Sequence, residues 1–264
     1  MLELRDLHKT FNPGTVNAKT ALNGLDLTLR DGEFVTVIGG NGAGKSTMLN
    51  AAAGTLTVDA GQIFIDGADV TGLPEYKRAA YIGRVFQDPM MGTAPSMQIE
   101  ENLALAARRG QKRRLRRGVS KEERETYRQL LASLELGLEN RLSAEVSTLS
   151  GGQRQALTLL MATLKSPKLL LLDEHTAALD PKTAAKVMAL TDRIVSREHL
   201  TTLMITHNMR DAIQYGSRLV MLHEGRVILD ISSEEKKHLT VTDPLAEFTK
   251  ASGDEFSGDR ALLA

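Results

Sequence analysis

The chain has 264 residues, 42% of them apolar and 25% charged, and its formal net charge is zero. That composition is ordinary for a globular chain with one large domain or a core carrying an insert. A neutral balance gives no electrostatic pull toward nucleic acid or an acidic partner; without cysteine or tryptophan and with only 4% aromatics, disulfides and thiolate metal sites are excluded and stacking on single-stranded nucleic acid is disfavoured.

The start, MLELRDLHKT, lacks the apolar core of a signal peptide. No apolar run approaches the roughly 18 residues of a membrane span. An intracellular chain is expected, with any membrane link made through a partner.

LELRDL, GLDLTL and FVTVIG read as strands. GKSTMLNAAAG reads as a helix closed by Gly54, and QIFID as a short strand. After YIGRVFQDP the texture changes, and helical stretches dominate from about residue 97 to 146, including IEENLALAARR and KEERETYRQLLASLEL. Then follow helix GQRQALTLLMATL, strand KLLLLD, helix PKTAAKVMALTDRIVSRE, strand TLMIT and helix NMRDAIQYG. RLVMLHEGRVILD reads as a hairpin turning at Glu224 and Gly225. Strands alternating with helices predict an α/β fold with a parallel sheet covered on its faces, and the helical block reads as an insert. The last thirty residues, with SGDEFSGD, read as a polar appendage. Seven basic residues and no acid lie between positions 108 and 117. A solvated helix end and a contact with an acidic protein surface or anionic lipid heads both remain open there.

GGNGAGKST, residues 39–47, follows a strand and opens a helix, the context that a phosphate loop requires. Gly39, Gly40, Asn41, Gly42, Ala43, Gly44 and Thr47 would present backbone N–H groups to phosphate oxygens. Lys45 would reach the β- and γ-phosphates and Ser46 would coordinate Mg²⁺. This identifies a nucleoside triphosphate site without naming the class of enzyme.

LLLLDE suits a central strand buried on both faces, whose carboxyl end is where ligands bind in such sheets. Asp173 would hold Mg²⁺ and Glu174 would polarise an attacking water. A three-ligand metal site from Asp173, Glu174 and His175 is disfavoured, because successive extended residues point to opposite sides.

LSGGQ, residues 149–153, places Ser150 as a helix cap with Gly151 and Gly152 baring N–H groups behind it. The ordered series GGNGAGKST, Gln87 in VFQDP, LSGGQ, LLLLDE, AALD and His207 in MITHN resembles the ATP-binding subunits of ABC transporters over about residues 1–230. The resemblance implies a P-loop NTPase core with an N-terminal antiparallel β-subdomain and a helical subdomain at about 88–150, followed by an extension at 231–264. It implies ATP and Mg²⁺ as cofactors, and a head-to-tail homodimer in which Ser150, Gly151, Gly152 and Gln153 meet the γ-phosphate held by the other subunit. Gln87 would touch Mg²⁺ or the attacking water and report to the permease. His207 would contact the γ-phosphate, Asp180 would communicate across the dimer, and Phe11 would stack on adenine. The alternative for Phe11 is core packing.

The implied role is an ATPase on the cytoplasmic face of the membrane, bound to a separate permease and indirectly served by an extracytoplasmic substrate-binding protein. No nucleic-acid partner is expected. The segment from Gln87 to Gln98, with Met90, Met91 and Met97, is the expected permease-docking rim. Two stretches, DEHTAALDPKTA and MITHNMRDAI, resemble a bacterial import subgroup for some members of which amino-acid cargo has been suggested. His175 departs from the family's usual proline; a neutral exchange and a pH-sensitive contact near the dimer interface are the two readings. A soluble ABC ATPase of DNA repair or translation is the alternative function, and a non-hydrolysing scaffold a third; the intact set Lys45, Asp173, Glu174 and His207 argues against the scaffold.

Overall fold

The computed structural model describes residues 1–111, 118–237 and 239. Five of the seven basic residues between 108 and 117, and the polar appendage beyond 239, lie outside the described residues. In chain order the elements are β1 (Leu2–Phe11), β2 (Lys19–Leu29), β3 (Phe34–Ile38), α1 (Lys45–Ala53), β4 (Ala60–Ile65), β5 (Ala68–Asp69), α2 (Glu75–Arg78) and β6 (Ile82–Val85). Then come α3 (Ile99–Ala107), α4 (Lys121–Ala132), α5 (Gly151–Thr163), β7 (Leu169–Asp173), α6 (Pro181–Glu198), β8 (Thr202–Ile205), α7 (Met209–Gln214), β9 (Arg218–His223), β10 (Arg226–Ile231) and α8 (Ser233–Lys236).

The chain forms two compact units, one of Met1–Arg78 with His199–Ala264, the other of Ala79–Glu198. In the first unit β1, β2, β4 and β5 make the expected antiparallel sheet in the order β2-β1-β4-β5. Its apolar side chains alternate along the strands, and Leu2, Leu4, Leu25, Leu27 and Leu29 are all buried. A second set places β3 between β8 and β9 in parallel, with β10 antiparallel to β9. Every residue of β3 is buried, as a central parallel strand requires. Ile38, Leu219, Met221 and Ile231 from these strands pack with Met209 and Ala212 of α7. The β9–β10 hairpin turns where the sequence predicts: Glu224 and Gly225 both have positive φ, 46° and 73°, the combination a two-residue type I′ turn needs.

The second unit holds the parallel pair β6–β7 and helices α3 to α6. β6 is not legible in the sequence. Its four residues include Gly83 and Arg84, so it has no apolar alternation, and its pairing with β7 makes it a strand. Helix α4 starts at a capping box between Ser120 and Glu123. The described start of the basic cluster is half-buried and partnered within the chain: Arg108 pairs with Glu123 at 3.1 Å, and Arg109 donates to the Ala162 carbonyl at 3.1 Å. For these two residues the solvated helix end does not hold. Of the three methionines on the docking rim, Met90 and Met91 are exposed, 39% and 69%, and Met97 is half-buried.

Candidate functional site

In the first unit β3 and β8 run in register, with Val37 beside Ile205. The chain therefore leaves both strands at one edge, Gly39 continuing from β3 and His207 from β8. Gly39 has φ 152°, and a Cβ there would meet the Leu222 carbonyl oxygen at 2.3 Å, so only glycine fits. The loop ends at Gly44, which caps α1 with a left-handed backbone and no side-chain bond, and the first turn of α1 carries no acid. The first N–H groups of α1 thus keep their partial positive charge for an anion. Lys45 is buried, and its Nζ donates to the carbonyls of Gly39 at 2.6 Å and Gly40 at 3.0 Å. Those carbonyls hold the ammonium within the loop. Asn41, Gly42 and Ser46 are exposed, and Thr47 is half-buried.

Phe11 ends β1 and is 38% exposed, with Lys9 Nζ 5.9 Å from its ring centroid. The core-packing alternative for Phe11 does not hold. His207 is exposed and precedes Asn208, whose side chain caps α7 by accepting from the backbone of Arg210 and Asp211. Burial raises the Asp211 carboxyl above its ordinary value, and the nearby His207 opposes that rise.

In the second unit Val85 of β6 lies beside Leu172 of β7. Gln87 and the pair Asp173, Glu174 accordingly leave the same edge of that ladder. Asp173 accepts from Arg84 Nη2 at 3.3 Å, and the Arg84 guanidinium lies 4.6 Å from the Phe86 ring centroid. Sequence reasoning missed Arg84, because no local spacing relates it to a carboxylate 89 positions away. Glu174 has φ 43°, a left-handed backbone that costs a non-glycine residue about 1–3 kcal/mol. The chain turns sharply there as it leaves the buried strand.

His175 is 2% exposed and its Nε2 lies 3.0 Å from Thr191 Oγ1 on α6. It is turned into the core, so neither the three-ligand metal site nor an interface contact fits it. Asp180 is exposed and accepts from the Thr183 backbone at 3.1 Å, capping α6 ahead of Pro181. Hydrogen bonding from the Thr183 side chain first, and from its backbone N–H second, holds the Asp180 carboxyl below the ordinary range. Ser150 and Gln153 close a reciprocal capping box on α5, and the Gln153 amide also donates to the Leu136 carbonyl at 3.3 Å. A Cβ on Gly152 would fall 2.2 Å from Thr183 Cγ2, so the start of α5 is seated against the start of α6.

The described residues bring no group of three or more His, Asp or Glu together as metal ligands. Ser46 in the first unit and Asp173 in the second are each oxygen donors of the kind a hard cation such as Mg²⁺ takes, alongside substrate phosphates and water. The bare, cationic start of α1 fits a polyphosphate.

Residues 22–177 match the family model described as ABC transporter. The chain is 47% identical over 251 residues to the "Tyrosine transport ATP-binding protein" of Clostridioides difficile, covering 95% of this chain and 100% of that one. It is 35% identical to the "Spermidine/putrescine import ATP-binding protein PotA" of Haemophilus influenzae, of which it spans 59%. Among solved structures, a dimeric ATP-binding cassette in a post-hydrolysis state with ADP and Pi superposes with a TM-score of 0.75 at 29% identity, covering 88% of this chain and 99% of that one.

Proposed function

Because this chain belongs to the ABC transporter family of ATP-binding proteins, we propose that its ATPase activity drives import through a separate membrane permease, with an amino acid as the cargo class. The observation that carries this reading is the full-length likeness to a relative named for tyrosine transport. Import is supported by the name of the Haemophilus relative. A soluble ABC ATPase of DNA repair or translation is not favoured, since these relatives carry transport names. Among the described residues no helix is long and apolar enough to cross a membrane, which suits a subunit attached to the cytoplasmic face through its partner.

ATP is the substrate. In our reading Phe11 stacks on the adenine, and residues 39–47 wrap the phosphates with backbone N–H groups. Lys45 exchanges its two loop carbonyls for phosphate oxygens. Ser46, Asp173 and Gln87 would hold Mg²⁺, and the ion would supply charge neutralisation at the phosphates. Glu174 accepts the proton of the water whose oxygen bonds to the γ-phosphorus as the bond to the ADP oxygen breaks. His207 contacts the γ-phosphate and keeps that water in line. A second copy supplies Ser150, Gly151, Gly152 and Gln153 to the same γ-phosphate from the start of its α5, and its Asp180 lies in the turn that seats this helix. The dimeric neighbour supports this pairing.

The test uses the full chain and its Glu174→Gln variant. The variant is expected to bind ATP, to form an ATP-dependent dimer by light scattering, and to lose turnover. Normal turnover would remove Glu174 as the general base. For the transport role, vesicles carrying permease and ATPase should take up labelled amino acid only with ATP. Uptake that does not need this chain overturns that role.

A further inference from the structure

Two side chains on one face of α5 hold both ends of the segment that carries Gln87. Gln155, fully buried, donates its Nε2 to the Phe86 carbonyl at 3.1 Å. Its Oε1 is buried and has no partner among the described residues, so this amide is spent on Phe86 alone. One turn on, Thr158 is 2% exposed, and its hydroxyl donates to the Arg154 carbonyl at 2.9 Å, which fixes its rotamer. Its Cγ2 then presses on Gly92, where a Cβ would come within 2.5 Å. Between these grips lie Gln87 and the exposed Met90 and Met91. The segment folds on itself there, with Met90 N donating to Asp88 Oδ1 at 2.8 Å and Met91 N to the Asp88 carbonyl at 3.1 Å.

We propose that Gln155 and Thr158 are positioning residues through which α5 sets where Gln87 stands. A helix moves as a rigid rod, and Ser150 lies about 7.5 Å along the axis from Gln155 at 1.5 Å per residue. When the start of α5 engages the γ-phosphate of the other subunit, the same displacement reaches Phe86 and Gly92. Engagement in trans is thereby reported to Gln87 and to the methionine pair without any contact between nucleotide and permease. This rests on the roles given above to Gln87 and Ser150.

The experiment measures kcat, KM for ATP, nucleotide affinity and Tm on the full chain. Gln155→Leu and Gly92→Ala should each lower kcat by on the order of ten- to a hundredfold, the effect of a misplaced catalytic group, with KM and affinity kept. Thr158→Ser removes the Cγ2 that a Cβ at position 92 would strike, so Gly92→Ala with Thr158→Ser should regain the lost kcat. Gln87→Ala is run beside them. If Gln87→Ala itself turns over normally, the role of Gln87 fails and the proposal falls with it. If Gln87→Ala is slow while Gln155→Leu and Gly92→Ala are fast, the clamp alone is overturned. A Gly92→Ala loss that Thr158→Ser does not restore also overturns it.

Discussion

The imidazole of His175 lies 3.0 Å from the Thr191 hydroxyl, with both residues buried in the second unit. Burial pushes the His175 pKa down to about 4, so the ring is neutral at pH 7 and its hydrogen bond, not a charge, is what it contributes. Thr191 in turn donates to the Val187 carbonyl at 2.9 Å, tying the ring to the backbone of α6. Thr191→Val keeps the shape and removes the partner. It should cost about 1–3 kcal/mol, the cost of leaving a buried polar group unmade, read as a Tm lowered by several degrees. The pH profile of ATP turnover should not move. An unchanged Tm would show that the bond is not holding α6 to the turn after Glu174.

Lys45 gives the clearest prediction on binding. Its ammonium already sits among the loop carbonyls, so little ordering remains when phosphate arrives. Lys45→Met should weaken ATP by about 1.5–3 kcal/mol, the worth of a charged hydrogen bond, or roughly ten- to a hundredfold in Kd. Calorimetric titration with ATP and with AMP separates the contributions. AMP affinity should be nearly unchanged, because it lacks the β- and γ-phosphates.

The far end of α1 depends on a residue from outside it. Arg78 is 2% exposed. It donates to the carbonyls of Ala51 at 2.6 Å and Ala52 at 3.0 Å, and to those of Leu73 and Thr71 at 2.9 Å each. A cation at a helix C-terminus is favourable, and the planar fork reaches four acceptors that an ammonium cannot. Arg78→Lys should destabilise by on the order of 3 kcal/mol, measured by urea unfolding. A loss under 1 kcal/mol would mean that water replaces the fork.

Lys236 gives a pH dependence of defined sign. Its Nζ is buried and donates to the carbonyls of Tyr215 and Gly216 just past α7, and burial lowers its pKa to about 8. An unfolded lysine titrates near 10.4. Between pH 8 and about 10.4 the unfolded chain therefore binds more protons, and stability from this group rises with pH. The stability of the native chain minus that of Lys236→Met should rise across that window. A difference that stays constant or falls would show that the ammonium is not desolvated.

Elements whose signals are local can be read from the order of residues alone. The phosphate loop, the helix cap at Ser150, the buried strand before Asp173 and the turn at Glu224 and Gly225 each follow from residues a few positions apart. Glycine at a positive φ, a cap at the start of a helix and an unbroken apolar run act within one or two turns of chain, and so they are written in order. The tertiary structure decided the pairs that no spacing relates. Arg84 meets Asp173 across 89 positions, Gln155 meets Phe86 across 69, and Arg78 meets the end of α1 across 27. It also decided that His175 is internal and that Arg108 and Arg109 turn inward. A polar side chain takes its partner from whichever backbone or charge the packed chain leaves within hydrogen-bond reach, and that neighbour exists only once β6 lies beside β7 and α5 lies over the segment after β6.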